Sequence, residues 1–221
     1  MKKATTTHKT ERNEDLQGVR RQRIRGAAFA VFMERGYEGA STLEIATRAR
    51  VSKRELYALF GNKQSILTAC IAERARRMRL PLELPPASDH KTLAKTLTAF
   101  GSAVLRELCH PTVTALYRLA VAEAERSPDV AKALDTAGRE TTRAALTDLL
   151  SRAQSSGLLT AGEPSEMAGE FFALLFRDSL LLRLLLRVTD VPTLGEIKRK
   201  ARAATETLLV LHAKSESARS L

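Results

Sequence analysis

Lys53, Arg54 and Tyr57 lie within five residues of one another in the segment VSKRELYALFGNKQSIL, residues 51–67. If residues 53–60 are helical, Leu56, Leu59 and Phe60 fall at i, i+3 and i+4 and anchor one face. Lys53, Arg54, Tyr57 and Ala58 then share the opposite face. Two long cations in the first turn of a helix can pair with phosphate or read guanine edges. A tyrosine hydroxyl one turn later can bond a phosphate oxygen. Ala58 is small enough to allow close approach or to meet a thymine methyl. This is chemistry for recognising a polyanion. A helical enzyme is the weaker alternative, because the chain shows no paired acid/base constellation, no Gly-rich phosphate loop and no nucleophile motif. No catalytic residue is assigned. Cys70 and Cys109 stand 39 positions apart and form no C-x-x-C pair. Cys109-His110 falls short of the four ligands of a structural zinc site. Buried thiols are expected, with no metal and no cofactor.

The elements that must position the cationic face are marked by local signals. S-x-x-E occurs twice, at Ser41/Glu44 and Ser52/Glu55, as two capping boxes 11 residues apart. Val51 and Leu56 have the spacing of a hydrophobic staple around the second box. Two short helices are therefore expected to start near Thr42 and Lys53, joined by a tight turn at Arg50 and Val51. Asn62 caps a longer helix from Lys63 to about Leu80. A preceding helix from Leu16 to Arg35 carries Ile24, Ala27, Ala28, Val31 and Phe32 on one face, with Gly36 as its cap. Thr42 and Lys63 open their helices, where free N–H groups and the helix dipole suit a phosphate. Arg20, Arg21, Arg23 and Arg25 stud the first helix. Together with Lys2, Lys3, Lys9 and Arg12 they could add backbone contacts to nucleic acid without sequence information.

Charge follows the same division. The 221 residues carry a net +11; residues 1–79 hold 18 cations against 8 anions, whereas residues 80–221 are nearly balanced at 18 against 17. A concentrated positive field draws polyanions, nucleic acid foremost, with a merely solvated basic face as the plain alternative. At 44% hydrophobic residues the chain is globular, and the abundance of Ala, Leu, Arg and Glu favours helix. No alternating strand pattern stands out.

PLELPPASD, residues 81–89, places three prolines in nine positions and marks a boundary. Beyond it only helical periodicity is found. Helices are expected at about His90–Leu108, Pro111–Arg126, Pro128–Ser156 with a possible break at Gly138, Pro164–Arg187 and Thr193–Lys214. The apolar run at 171–188 is interrupted by Arg177, Asp178, Arg183 and Arg187. It therefore reads as a helix at a packed interface and not as a membrane span. The expected organisation is a disordered basic arm (1–15), a helix-turn-helix domain (16–80) and a helical domain (81–221). The N-terminus lacks the apolar segment of a secretory signal, so a reduced, cytoplasmic protein is expected.

The stretch GAAFAVFMERGYEGASTLEIATRARVSKRELYALFGNKQSIL, residues 26–67, resembles the DNA-binding domain of the tetracycline-repressor (TetR) family. The likeness is carried by Ala28, Phe32, Gly36 and Tyr37, by Thr42, Ile45 and Ala46, and by Val51, Ser52, Leu56, Tyr57, Phe60 and Lys63. It implies an all-α chain with an N-terminal three-helix helix-turn-helix domain and a helical ligand-binding and dimerisation domain. It places base reading on Lys53, Arg54 and Glu55 and phosphate contacts on Thr42, Tyr57 and Lys63. Residues 116–134 and 171–186 are similar to the AefR-type C-terminal domain of some of these regulators.

The resemblance further implies a homodimer built on the last two long helices, with a ligand cavity in each C-terminal domain. The expected function is a transcriptional repressor released from a palindromic double-stranded operator by a small apolar or amphipathic effector. The alternative is an effector-independent DNA-binding protein of low sequence specificity. Phe100, Val104, Leu108, Tyr117, Phe172 and Phe176 are candidates for the effector pocket, with ordinary core as the competing reading. Arg118, Glu123 and Arg177 are polar candidates beside them. Arg50 stands where the family usually carries glycine. Arginine adopts positive φ less cheaply, so the turn or the register of the second helix is expected to differ slightly.

Overall fold

A computed structural model describes residues 4–83, 85, 87–122, 124–126, 128–160, 162–177, 183–186 and 190–212, with the side chains described from Leu16 onward. Helices make up the described chain, and no strand occurs among these residues. Lys2, Lys3, Glu123, Asp178, Arg187 and Lys214 lie outside the described residues, as do the side chains of Lys9 and Arg12. The chain divides into two compact units, residues 1–72 with 119–134 and residues 73–118 with 135–221.

In the first unit, helix α1 spans Ala4–Gly39 and α2 spans Thr42–Ala49; α3 spans Lys53–Phe60, and α4 starts at Lys63 and runs to Arg79, beyond the unit's limit. The first helix starts at Ala4 and not near Leu16, so it takes in residues 4–15. They hold no proline or glycine to stop a helix propagating toward the N-terminus. Gly36 breaks α1 with φ 74° and ψ 173°, a conformation that glycine alone adopts readily. Ile24, Ala28, Val31 and Phe32 are buried on the inner face of α1, at the helical spacing. Asn62 caps α4 through its side-chain oxygen, 2.8 Å from the Ser65 N–H.

The second unit is held by one apolar core. Leu80–Glu83 forms a 3₁₀ turn, α5 spans His90–Leu108 and α6 starts at Pro111 and runs to Ala122, beyond the unit's limit. A short α7, Pro128–Ala133, belongs to the first unit. It continues into a wider π-type segment, Leu134–Glu140, and then α8, Thr141–Ser155. The break expected near Gly138 is thus this change of helical pitch. Helix α9 spans Pro164–Phe176 and α10 spans Leu194–His212. Helices α5, α9 and α10 pack together at Gly101. A Cβ there would stand 3.1 Å from Phe171 and 3.2 Å from both Ala201 and Leu175. The missing side chain is what lets the three helices approach.

Two boundaries differ from expectation. Helix α6 ends at Ala122 and not near Arg126. Helix α9 stops at Phe176 instead of reaching Arg187, and Arg177 takes φ 39° and ψ −133°. No proline or glycine stands there, so local propensity supplies no stop. Further along, the Arg118 guanidinium donates to the carbonyls of Arg183 at 2.8 Å and Leu184 at 3.1 Å.

Candidate nucleic-acid interface

The site is built by α2, the turn Arg50–Val51–Ser52, and α3. Leu56 is fully buried and seats α3, with Leu59 and Phe60 half-buried beside it. Lys53, Arg54, Tyr57 and Ala58 are all exposed, as the face arithmetic requires. The start of α3 is fixed by a complete capping box. The Ser52 hydroxyl accepts the Glu55 N–H at 3.1 Å, and a Glu55 carboxylate oxygen accepts the Ser52 N–H at 2.8 Å.

The first box is only half made. Ser41 accepts the Leu43 N–H at 3.2 Å, while the Glu44 carboxylate turns away to Arg48 at 2.6 Å. A guanidinium one turn ahead outcompetes a backbone amide for that carboxylate. Arg48 also binds Glu34 through two hydrogen bonds of 2.7 and 2.6 Å. The Arg48 hydrogen bonds and charge, with the charge of Arg35 added, hold the Glu34 carboxyl below its ordinary range.

The turn keeps its left-handed position despite Arg50, which takes φ 52° and ψ 48°. The Arg50 N–H reaches the Thr47 carbonyl at 3.1 Å and the Val51 N–H reaches that of Ala46 at 3.0 Å. One guanidinium nitrogen of Arg23 then donates to the carbonyls of Ala49 at 2.5 Å and Arg50 at 3.0 Å.

The remaining expected contact residues divide into two groups. Thr42 Oγ1 and Tyr57 Oη lie 3.1 Å apart, so the start of α2 and the middle of α3 present a joined hydroxyl pair. The Lys53 ammonium sits 5.8 Å from the centre of the Tyr57 ring. Lys63 and Glu55 are instead committed inward. The Lys63 ammonium donates to the carbonyls of Tyr37 at 2.8 Å and Glu38 at 3.3 Å, and lies 4.5 Å above the Tyr37 ring. Glu55 holds the cap and pairs with Arg20 at 3.2 Å. The Ser52 N–H, then its hydroxyl, and then the charges of Arg20 and Arg23 keep the Glu55 carboxyl below its ordinary range. Sequence reasoning missed Arg23 as a holder of the turn, and no local motif marks it.

The candidate pocket residues of the second unit do meet. Phe100, Val104 and Leu108 are buried in its core, with Tyr117, Phe172 and Phe176 partly buried against them. Ring centres lie 6.1 Å apart for Phe100–Phe172 and 5.7 Å for Phe172–Phe176. Burial pushes the Tyr117 hydroxyl above the usual phenol range. Arg118 is spent on backbone carbonyls, whereas Arg177 is exposed at the end of α9. Cys70 is buried and Cys109 partly so, and neither forms a disulfide with the other. Among the described residues no helix is long and apolar enough to cross a membrane.

Comparison with known proteins finds two matched stretches of the chain. Residues 24–70 match the bacterial regulatory proteins of the tetR family, and residues 95–214 match the C-terminal domain of AefR-like transcriptional repressors. An HTH-type transcriptional regulator of Bacillus subtilis (strain 168), YvkB, is 26% identical over 155 residues, which is 70% of this chain and 78% of that protein. The solved structure of the flavonoid-responsive regulator FrrA is 26% identical with a TM-score of 0.68, covering 89% of this chain and 98% of its own. A TetR transcriptional regulator from Agrobacterium tumefaciens shares the fold, with a TM-score of 0.73 at 24% identity over 91% of this chain and 98% of its own.

Proposed function

The chain belongs to the TetR family of bacterial regulatory proteins and is a DNA-binding transcriptional regulator; from that premise we propose that it is a repressor, bound as a homodimer to a palindromic operator and released by a small apolar or amphipathic effector. The observation that carries the DNA reading is the hydroxyl pair of Thr42 and Tyr57, 3.1 Å apart, beside the exposed cations Lys53 and Arg54. Thr42 and Tyr57 take one phosphate between them, and Lys53 and Arg54 face base edges. Glu55 serves by fixing the helix start and not by reading a base. Two of the three Lys63 donors are engaged, which leaves one N–H for a phosphate.

Exposed apolar residues support a dimer partner for α10: Leu194 is 72% exposed, Val210 86% and Leu211 60%. Two reading heads then meet half-sites about 34 Å apart, one turn of DNA. The aromatic cluster around Phe172 supports an apolar effector site. The name of FrrA makes a flavonoid the first effector to try. Release works only if the effector binds the DNA-free and DNA-bound states with different affinity.

The test is a mobility shift with DNA from upstream of the chain's own coding sequence, under excess competitor. A single retained site supports the repressor reading, and titrated flavonoid should release it. Uniform loss to competitor would instead favour weakly specific binding without an effector. Light scattering on Val210→Glu should give the mass of one chain where the natural sequence gives two.

A further inference from the structure

Arg20, Arg21 and Arg23 carry much of the positive charge of α1, and on charge alone they belong to the DNA backbone. Their contacts are all internal. Arg20 pairs with Glu55, the residue that closes the cap of α3. The Arg21 guanidinium lies 5.3 Å from the centre of the Phe60 ring, at the far end of α3. Arg23 bonds the carbonyls of Ala49 and Arg50, at the turn between α2 and α3. Within four residues, α1 thus touches the turn before α3, its first turn and its last.

The three contacts differ in weight. The side chains of Arg20 and Glu55 are 45% and 41% exposed, and an exposed pair contributes little. The Arg21–Phe60 contact is a cation over a half-buried ring and is also modest. Arg23 is different. It meets the C-terminus of α2, where carbonyls lack helical partners and the dipole is negative. It does so at the one position where an arginine occupies left-handed backbone between the two helices. A non-glycine residue populates that conformation roughly tenfold less readily than a right-handed one.

We propose that Arg23 is a positioning residue for DNA recognition: it holds the Arg50 turn in its left-handed form and so sets the angle at which α3 presents Lys53 and Arg54. The guanidinium offsets the cost that a glycine at position 50 would not incur. The proposal rests on the DNA-binding function of the family and not on the repressor or effector reading, so it stands if either of those fails.

The test compares two duplexes, one selected by the natural protein from a random pool and one random sequence, across a salt series. Arg23→Ala should weaken binding to the selected duplex roughly tenfold and leave the random duplex and the salt slope unchanged. Arg50→Gly relieves the backbone, so in the Arg50→Gly background the same Arg23→Ala change should cost less than twofold. Exchange of the Val51 amide, which bonds Ala46, should speed up in Arg23→Ala and slow again in the double variant. If Arg23→Ala alone does not fold, the comparison of Arg50→Gly with the double variant decides. A tenfold loss in that background overturns the proposal. An equal loss on both duplexes with a salt slope reduced by about one also overturns it, and makes Arg23 a phosphate contact.

Discussion

In the first unit the groups that matter stand in water: Lys53, Arg54 and Tyr57 are exposed, and hydrogen bonds to backbone fix how they are presented. In the second unit the candidates Phe100 and Val104 are at most 1% exposed, and apolar contact fixes them. The difference shows where function can be separated from stability. An exposed cation on a capped helix contributes little to folding, so its substitution reads binding apart from stability. A buried phenylalanine serves the fold first, and an effector role must be shown against that background.

The comparison is tested most forcefully at Phe100. Phe100→Ala should destabilise the second unit by roughly 3–5 kcal/mol, read by denaturant unfolding, if the ring is ordinary core. A loss near 1 kcal/mol would mean that its surroundings are already loose, as the wall of a ligand cavity is. Next comes the reading face. Lys53→Ala and Arg54→Ala should each weaken binding to a selected duplex by about 1–3 kcal/mol, with thermal unfolding unchanged within about 0.5 kcal/mol. A fall in stability equal to the fall in affinity would erase the distinction between the units.

How far the sequence reaches follows the same line. Ser52 and Asn62 could be read because a cap is decided within three or four residues by a hydrogen bond the chain makes to itself. The faces of α3 could be read for the same reason. Glu44 could not, because its carboxylate had two partners to choose from and the choice depended on Arg48 sharing it with Glu34. The grip of Arg23 was hidden because its partners lie far along the chain. The missing cue at Thr193 was available: T-x-x-E to Glu196 forms a second reciprocal box, with bonds of 2.8 and 3.3 Å, at the start of α10. Phe100 and Phe172 were recognisable as apolar, but pocket and core use the same residues.

A smaller effect separates cap from reader. Ser52→Ala should cost about 1 kcal/mol of stability by removing one acceptor at the start of α3. Its effect on DNA binding should follow from fraying of α3 and therefore shrink as temperature falls. Lys53→Ala should show no such temperature dependence. Parallel behaviour of the two variants as temperature is lowered would break the distinction.

The smallest effect lies in acid. The Glu55 carboxyl is held below its ordinary range, first by the Ser52 N–H and then by its hydroxyl, with Arg20 and Arg23 adding charge. A depressed pKa in the folded state contributes stability that is present above the unfolded carboxylate value and is lost as pH falls through the folded one. Near neutrality, therefore, the cap should not respond to pH. The Asp89 and Glu196 carboxyls are lowered by cap bonds in the second unit as well, and those of Glu34 and Asp135 by arginines, so a global acid transition would blend them all. The Ser52 amide shift isolates one of them, because that N–H bonds Glu55 directly. It should titrate below the ordinary glutamate range in the natural protein, and Arg20→Ala should move the midpoint upward. In Glu55→Gln the titration should vanish. A Ser52 titration that persists there would assign the proton to another carboxylate.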